Sequence, residues 1–134
     1  MKLVLTRQHL EEIIAHALEE SPNEACGLLG GKEGRVEKVY PLPNVERSPV
    51  RYRAEPEAQF RAMTEIEEKG WEIVGIYHSH PWGPPYPSGV DVEMAYYPEA
   101  IYLIVSLGDP QRPVVKAFNL AKRPPEEVEL EIQG

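Results

Sequence analysis

At 134 residues the chain has the length of one domain, and such a domain buries about 68–70% of its unfolded surface, enough for a core without cross-links. Lys and Arg number 14 against 22 Asp and Glu, a net charge of −8; that argues against a phosphate-backbone ligand such as nucleic acid, which needs clustered positive charge. The single cysteine, Cys26, cannot close an intrachain disulfide and fits a reducing cytoplasm.

The N-terminus MKLVLTRQHLEE turns charged after three apolar residues, unlike a signal peptide. KLVL predicts a short strand and Thr6 a cap for the helix that follows. Leu10, Ile13, Ile14, Ala17 and Leu18 form its apolar stripe. His9 and His16 read as solvated positions on that helix. SPNE ends it, and ACGLLGG predicts a buried strand stopped by Gly30 and Gly31. RVEKVYPL alternates as a strand after the turn GKEG; PLPNVERSPV reads as loop, and RYRA as a further short strand. Pro56 suits the first turn of a second helix, with Phe60, Met63, Thr64 and Ile66 as its stripe and Gly70 as its end. WEIVGIYHSH is the strongest strand signal. After a Pro-rich loop, SGVDVEMAYY predicts a short helix. AIYLIVSL and RPVVKAFNL predict strands around a GDPQ turn, and PPEEVELEIQ an edge strand or tail. The longest uninterrupted apolar run, Ala100 to Val105, is too short to span a bilayer. The order predicts one α/β layered domain over 1–134, a mixed β-sheet with flanking helices.

Two of the four histidines, His78 and His80, stand at the end of the strongest strand. Side chains alternate along a strand, so the two imidazoles share a face and can share a metal ion, while Ser79 points away. A hydrolytic zinc site needs three protein ligands and one open position. Asp91, in the first turn of the next predicted helix, can return to the histidines across the Pro-rich loop. A His-x-His alone can equally be two tolerated polar residues at a strand end. The surroundings exclude other metal folds: Pro81, Trp82 and Gly83 stand where a metallo-β-lactamase needs Asp-His, and Pro84 and Pro85 where a cupin needs Glu. Ser88 admits two readings, as the helix cap with Asp91 in a capping box, or as a donor to a developing oxyanion.

The segment HSHPWGPPYPSGVD has the form H-S-H-x7-S-x-x-D and resembles the JAMM (MPN+, Mov34/PAD-1-like) zinc metalloprotease motif. NEACGLLGG resembles the family's upstream segment, which places its glutamate at Glu24. The resemblance implies an MPN/JAMM, cytidine-deaminase-like fold. It implies that His78, His80 and Asp91 bind Zn2+ and that Glu24 carries the proton of the attacking water to the leaving amine. Ser88 would help hold the oxyanion. The chemistry is coherent, because zinc lowers the pKa of water toward about 7 and an amine leaves only with a proton.

The chain is short after Asp91, like the compact prokaryotic type, without the insertions that grip ubiquitin in eukaryotic members. The resemblance then implies hydrolysis after the C-terminal Gly-Gly of a ubiquitin-like or sulfur-carrier protein. Both an isopeptidase acting on lysine conjugates and an enzyme releasing an amino acid such as cysteine fit it. A catalytically silent MPN-type scaffold is the alternative, although all five motif positions are filled. The expected setting is cytoplasmic, without a membrane, and a homodimer is compatible with it. Cys26 reads as a small core residue. Trp82 and Tyr86 suit either loop packing or the flank of a substrate strand.

Overall fold

Thr6 and His9 set the start of the first helix by a reciprocal capping box. The Thr6 hydroxyl accepts from the His9 amide, and His9 Nδ1 accepts from the Thr6 amide. This is how the chain turns from β1 (Lys2–Thr6) into α1 (Arg7–Glu20) in a computed structural model that describes residues 2–134. The elements that follow are β2 (Cys26–Lys32), β3 (Arg35–Leu42), α2 (Pro56–Glu68), β4 (Glu72–His80), α3 (Gly89–Glu93), β5 (Ile101–Ser106), β6 (Val114–Asn119) and β7 (Glu126–Gln133). No helix among the described residues is long and apolar enough to cross a membrane.

The mixed sheet and flanking helices match the sequence expectation, with one topological addition. The strands run β1-β3-β2-β4-β5-β6-β7, and β7 pairs in parallel with β1 from Lys2↔Glu129 to Thr6↔Gln133. The sheet therefore closes into a barrel, and PPEEVELEIQ is neither edge strand nor tail. Its alternation concealed this, because Val128 is buried while Leu130 and Ile132 are only partly covered.

Each face of the sheet has its own helix. Ile13 and Ala17 of α1 join Leu29, Tyr77, Leu103 and Val105 in one core, and α1 packs against β1, β3, β4, β5 and β7. Ala62 and Ile66 of α2 join Leu28, Ile76, Tyr102 and Ile104 in the other. The expected stripe of α2 is corrected at Phe60, which is 71% exposed, and at the exposed Thr64; Ala58, Ala62, Met63 and Ile66 define the inward face. Glu55 caps α2 and Pro56 takes its first position. RYRA is not a strand. It lies in the irregular segment between β3 and α2, where Asn44↔Ala54 is the single bridge. His16 is half-buried rather than fully solvated: its Nδ1 lies 2.7 Å from the hydroxyl of the fully buried Tyr77.

Gly31 is required where β2 and β3 come together, since a Cβ there would stand 1.9 Å from the Arg35 carbonyl oxygen. Barrel closure yields a direct expectation. Deleting residues 126–134 strips partners from both β1 and β6, so cooperative thermal unfolding should be lost. A truncated chain that unfolds as sharply as the intact one would contradict the closed barrel.

Candidate metal centre

The alternation of β4 places Ile76, His78 and His80 on the α2 side of the sheet, at the strand's C-terminal end. His78 is fully buried and His80 is 8% exposed. Ser79 points to the other side, as expected, and is also fully buried there. Its hydroxyl accepts from the Ala25 amide at 2.7 Å, and its own amide donates to the Ala25 carbonyl at 3.1 Å. The residue between the two histidines thus ties them to the strand entry that carries Glu24, far upstream in the chain.

Asp91 reaches the histidines from α3. Ser88 is the N-cap of that helix: its hydroxyl accepts from the Asp91 amide at 3.0 Å, and Asp91 Oδ2 accepts from the Ser88 amide at 2.8 Å. The capping box does more than start a helix, because it aims the same carboxylate oxygen at both imidazoles. Asp91 Oδ2 lies 3.1 Å from His78 Nε2 and 3.0 Å from His80 Nε2, and the two Nε2 atoms are 3.2 Å apart. Burial works against the Asp91 charge. In the metal-free protein, with hydrogen on their Nε2 atoms, His78 and His80 outweigh it and hold the carboxyl well below the usual carboxylate range.

The donor set itself tests whether a metal fits. His80 Nδ1 meets the Pro84 carbonyl at 2.8 Å, and a carbonyl only accepts, so Nδ1 carries the hydrogen. In the neutral ring, Nε2 then presents a lone pair to the Asp91 carboxylate. His78 Nε2 closes a triangle with 3.0–3.2 Å edges. Ligands about 2.0–2.2 Å from a tetrahedral ion stand roughly 3.3–3.6 Å apart. Three converging buried donors in a triangle of nearly this size fit a small divalent cation.

Glu24 stands just outside this cluster. Only His78, His80 and Asp91 bring ligand atoms within 4.8 Å of one another among the described residues. Glu24 is 3% exposed, and its Oε1 has no hydrogen-bond partner. Burial pushes its carboxyl up to about 8; the positive field of His80 pulls it down and the Asp91 charge adds to the rise. Glu24, His80 and Ser88 line one cleft of about 450 Å³, with Pro49 and Val50 on one wall and the Pro-rich loop on the other. Trp82 is 69% exposed on that loop, while Tyr86 rests edge-on against Phe118 at 5.4 Å.

Cys26 does not join the cluster. It is 1% exposed, its thiol points to the Leu42 carbonyl at 3.7 Å, and burial pushes it up to about 12. Two contacts escaped the sequence reading. Tyr52 lies flat on His78, with ring centroids 4.8 Å apart and planes at 21°, and Ser79 makes the tie described above. Neither residue sits in a motif with its own signal, since RYRA read as a strand and Ser79 as the residue facing away.

The sign of one pH effect follows. Glu24 has a raised pKa in the folded, metal-free protein, above its ordinary value of 4.5. Its contribution to stability is complete below about 4.5 and is lost as the pH rises through about 8. Chelator-treated protein should therefore lose melting temperature across this window more steeply than chelator-treated Glu24→Gln. Parallel pH curves for the two would refute the buried carboxyl.

Comparison with known proteins identifies the family. The model of the family described as prokaryotic homologs of the JAB domain matches residues 6–121. A CysO-cysteine peptidase of Mycobacterium tuberculosis is 38% identical over 120 residues, covering 88% of this chain and 82% of that protein. A probable TtuB-protein conjugate cleaving protease of Thermus thermophilus is 46% identical over 94 residues, 69% of this chain and 63% of that one. A desampylase of Pyrococcus furiosus is 44% identical over 100 residues, 74% of this chain and 71% of that one. Among solved structures, protein DSY2949 of Desulfitobacterium hafniense superposes with a TM-score of 0.88 at 42% identity, covering 98% of this chain and 92% of that one. The chain belongs to the prokaryotic branch of the JAB domain family, the JAMM/MPN+ hydrolases that its histidine segment resembles.

Proposed function

We propose that His78, His80 and Asp91 hold a zinc ion and that the protein hydrolyses the amide bond after the C-terminal Gly-Gly of a ubiquitin-like or sulfur-carrier protein. The observation that carries this reading is the triangle of three buried donors beside the buried Glu24 carboxyl, whose Oε1 has no partner. Bound zinc would supply Lewis acidity, polarising the scissile carbonyl and making water a nucleophile at neutral pH.

The remaining work falls to the chain's own residues. Glu24, buried and outside the ligand cluster, takes a proton from the attacking water and returns it to the leaving amine. The Ser88 oxygen already accepts from the Asp91 amide, so its hydrogen is free to be donated to the oxyanion. β1 meets β3 at one pair, Val4↔Arg35, and the edge this leaves along β3 does not line the cleft. An extended tail would instead lie between the Pro49–Val50 and Trp82–Pro87 segments that wall the cleft. Glycines suit that passage, having no side chains to accommodate. The relatives' names span a carrier–cysteine bond and protein conjugates, so the leaving group of this chain is either an amino acid or a lysine side chain. A cytoplasmic site of action is part of the proposal, and no observation supports the homodimer.

Two His and one carboxylate also suit Fe(II), so the metal is to be identified by elemental analysis. His78→Ala and His80→Ala should each abolish stoichiometric binding; retention in both would place the metal elsewhere. Glu24→Gln should keep the metal and slow turnover by roughly 10²–10⁴-fold, whereas near-normal turnover would assign the proton to another group. For the substrate, a carrier ending in Gly-Gly before the scissile bond should be cleaved far faster than one ending in Ala-Ala. Equal rates would refute the glycine channel.

A further inference from the structure

Asn44 opens the irregular segment between β3 and α2 and is 7% exposed. Its side-chain oxygen accepts from the amides of Glu46 and Arg53, both at 3.0 Å. Its nitrogen donates to the carbonyls of Glu24 at 3.0 Å and Arg51 at 3.2 Å. All four bonds agree on one amide orientation, since the flipped group would set N–H against N–H. The Glu24 amide ends on the same segment, donating to the Ser48 carbonyl at 2.8 Å. Both backbone polar groups of Glu24 are thus anchored to a loop that carries no catalytic side chain.

That loop also delivers Tyr52. His80 has its Nδ1 fixed by the Pro84 carbonyl, but His78 Nδ1 has no hydrogen-bond partner. With its Nε2 edge turned to Asp91 and His80, the His78 ring lies with one face flat against Tyr52. Asn44 grips the residues on both sides of Tyr52, at Arg51 and Arg53. One buried amide meets the backbone of Glu24 on one side and the mount of Tyr52 on the other.

We infer that Asn44 is a positioning residue that sets Glu24 and, through Tyr52, the His78 ring in one geometry. The inference rests on the roles proposed above for Glu24 and His78. An asparagine that only shaped a loop would affect melting and leave turnover of the folded enzyme intact. A positioning residue acts on turnover through Glu24, because misplacing a reacting group by about 1 Å costs on the order of 10²-fold.

The test is a double-mutant cycle on the full chain, loaded with zinc and given a Gly-Gly-linked carrier substrate, at a temperature where every variant is folded. Asn44→Ala should lower kcat by about 10–10²-fold with KM nearly unchanged. In the Glu24→Gln background the same change should cost less than about threefold, because the group it positions no longer acts. Where Asn44→Ala fails to fold, Asn44→Asp keeps both acceptors and removes both donors, and the same non-additivity is expected. Chelator competition gives a second readout: Tyr52→Ala and the Asn44 variant should each weaken zinc binding, by about tenfold for the loss of a ligand's support. Multiplicative losses in the double variant, or an undiminished kcat in the Asn44 variant, overturn the inference and leave the role of Glu24 standing. Unchanged zinc affinity in both Tyr52→Ala and the Asn44 variant overturns its His78 half. Near-normal turnover of Glu24→Gln alone overturns the proton role and this inference with it.

Discussion

Two ring nitrogens and a carboxylate oxygen converge in a buried triangle with edges of 3.0–3.2 Å. The Pro84 carbonyl spends the one hydrogen of a neutral His80 on the far side of its ring, so its near side turns a lone pair toward the Asp91 carboxylate, a meeting that only a cation or a shared hydrogen relieves. A buried carboxylate at these distances would be costly in isolation. A divalent ion satisfies the three donors at once, and much of the local structure serves that convergence. The Ser88–Asp91 capping box fixes the carboxylate, the Pro-rich loop fixes one imidazole, and Tyr52 covers the other.

Glu24, the proposed proton carrier, is attached to the same frame by backbone bonds. Ser79 turns away from the metal side and holds Ala25 by two hydrogen bonds, which fixes the entry of β2 against the end of β4. Glu24 is the residue just before that joint. Its position follows from β2–β4 pairing, in which Cys26 stands opposite His78, and from the loop that takes up its own amide and carbonyl. Fold and chemistry are therefore linked through strand register. A slip of one residue between β2 and β4 would turn the histidines to the other face and separate them from Glu24.

The parts of this arrangement legible in the sequence were those set by short-range rules. Strand alternation put His78 and His80 on one side, the Ser-x-x-Asp spacing announced a capping box, and Thr6 and Pro56 marked helix starts as local sterics require. The misreadings have a common cause in tertiary contacts. PPEEVELEIQ looked like an edge because nothing local records that β1 waits to pair with it. RYRA has strand-like residues, yet Asn44 bends its backbone away from any ladder. Phe60 falls on the stripe that the helical spacing predicts, yet the small Ala58 and Ala62 face the sheet and let α2 approach it. His9 and His16 read as solvated because neither a cap partner nor a buried tyrosine hydroxyl shows in helical periodicity. The placement of Glu24 came from a motif resemblance, since only the folded chain brings it beside the histidines.

The central claim is a mononuclear centre with two imidazoles and one carboxylate as its protein ligands. X-ray absorption at the zinc edge of the loaded protein reads that set directly. The account predicts two imidazole nitrogens and oxygen neighbours at about 2.0–2.2 Å, with no sulfur, and a spectrum whose protein ligands are unchanged in Glu24→Gln. A sulfur neighbour at about 2.3 Å would bring Cys26 into the centre, and an altered ligand set in Glu24→Gln would make that glutamate a ligand. Either result would contradict the division between metal site and proton carrier on which the account rests.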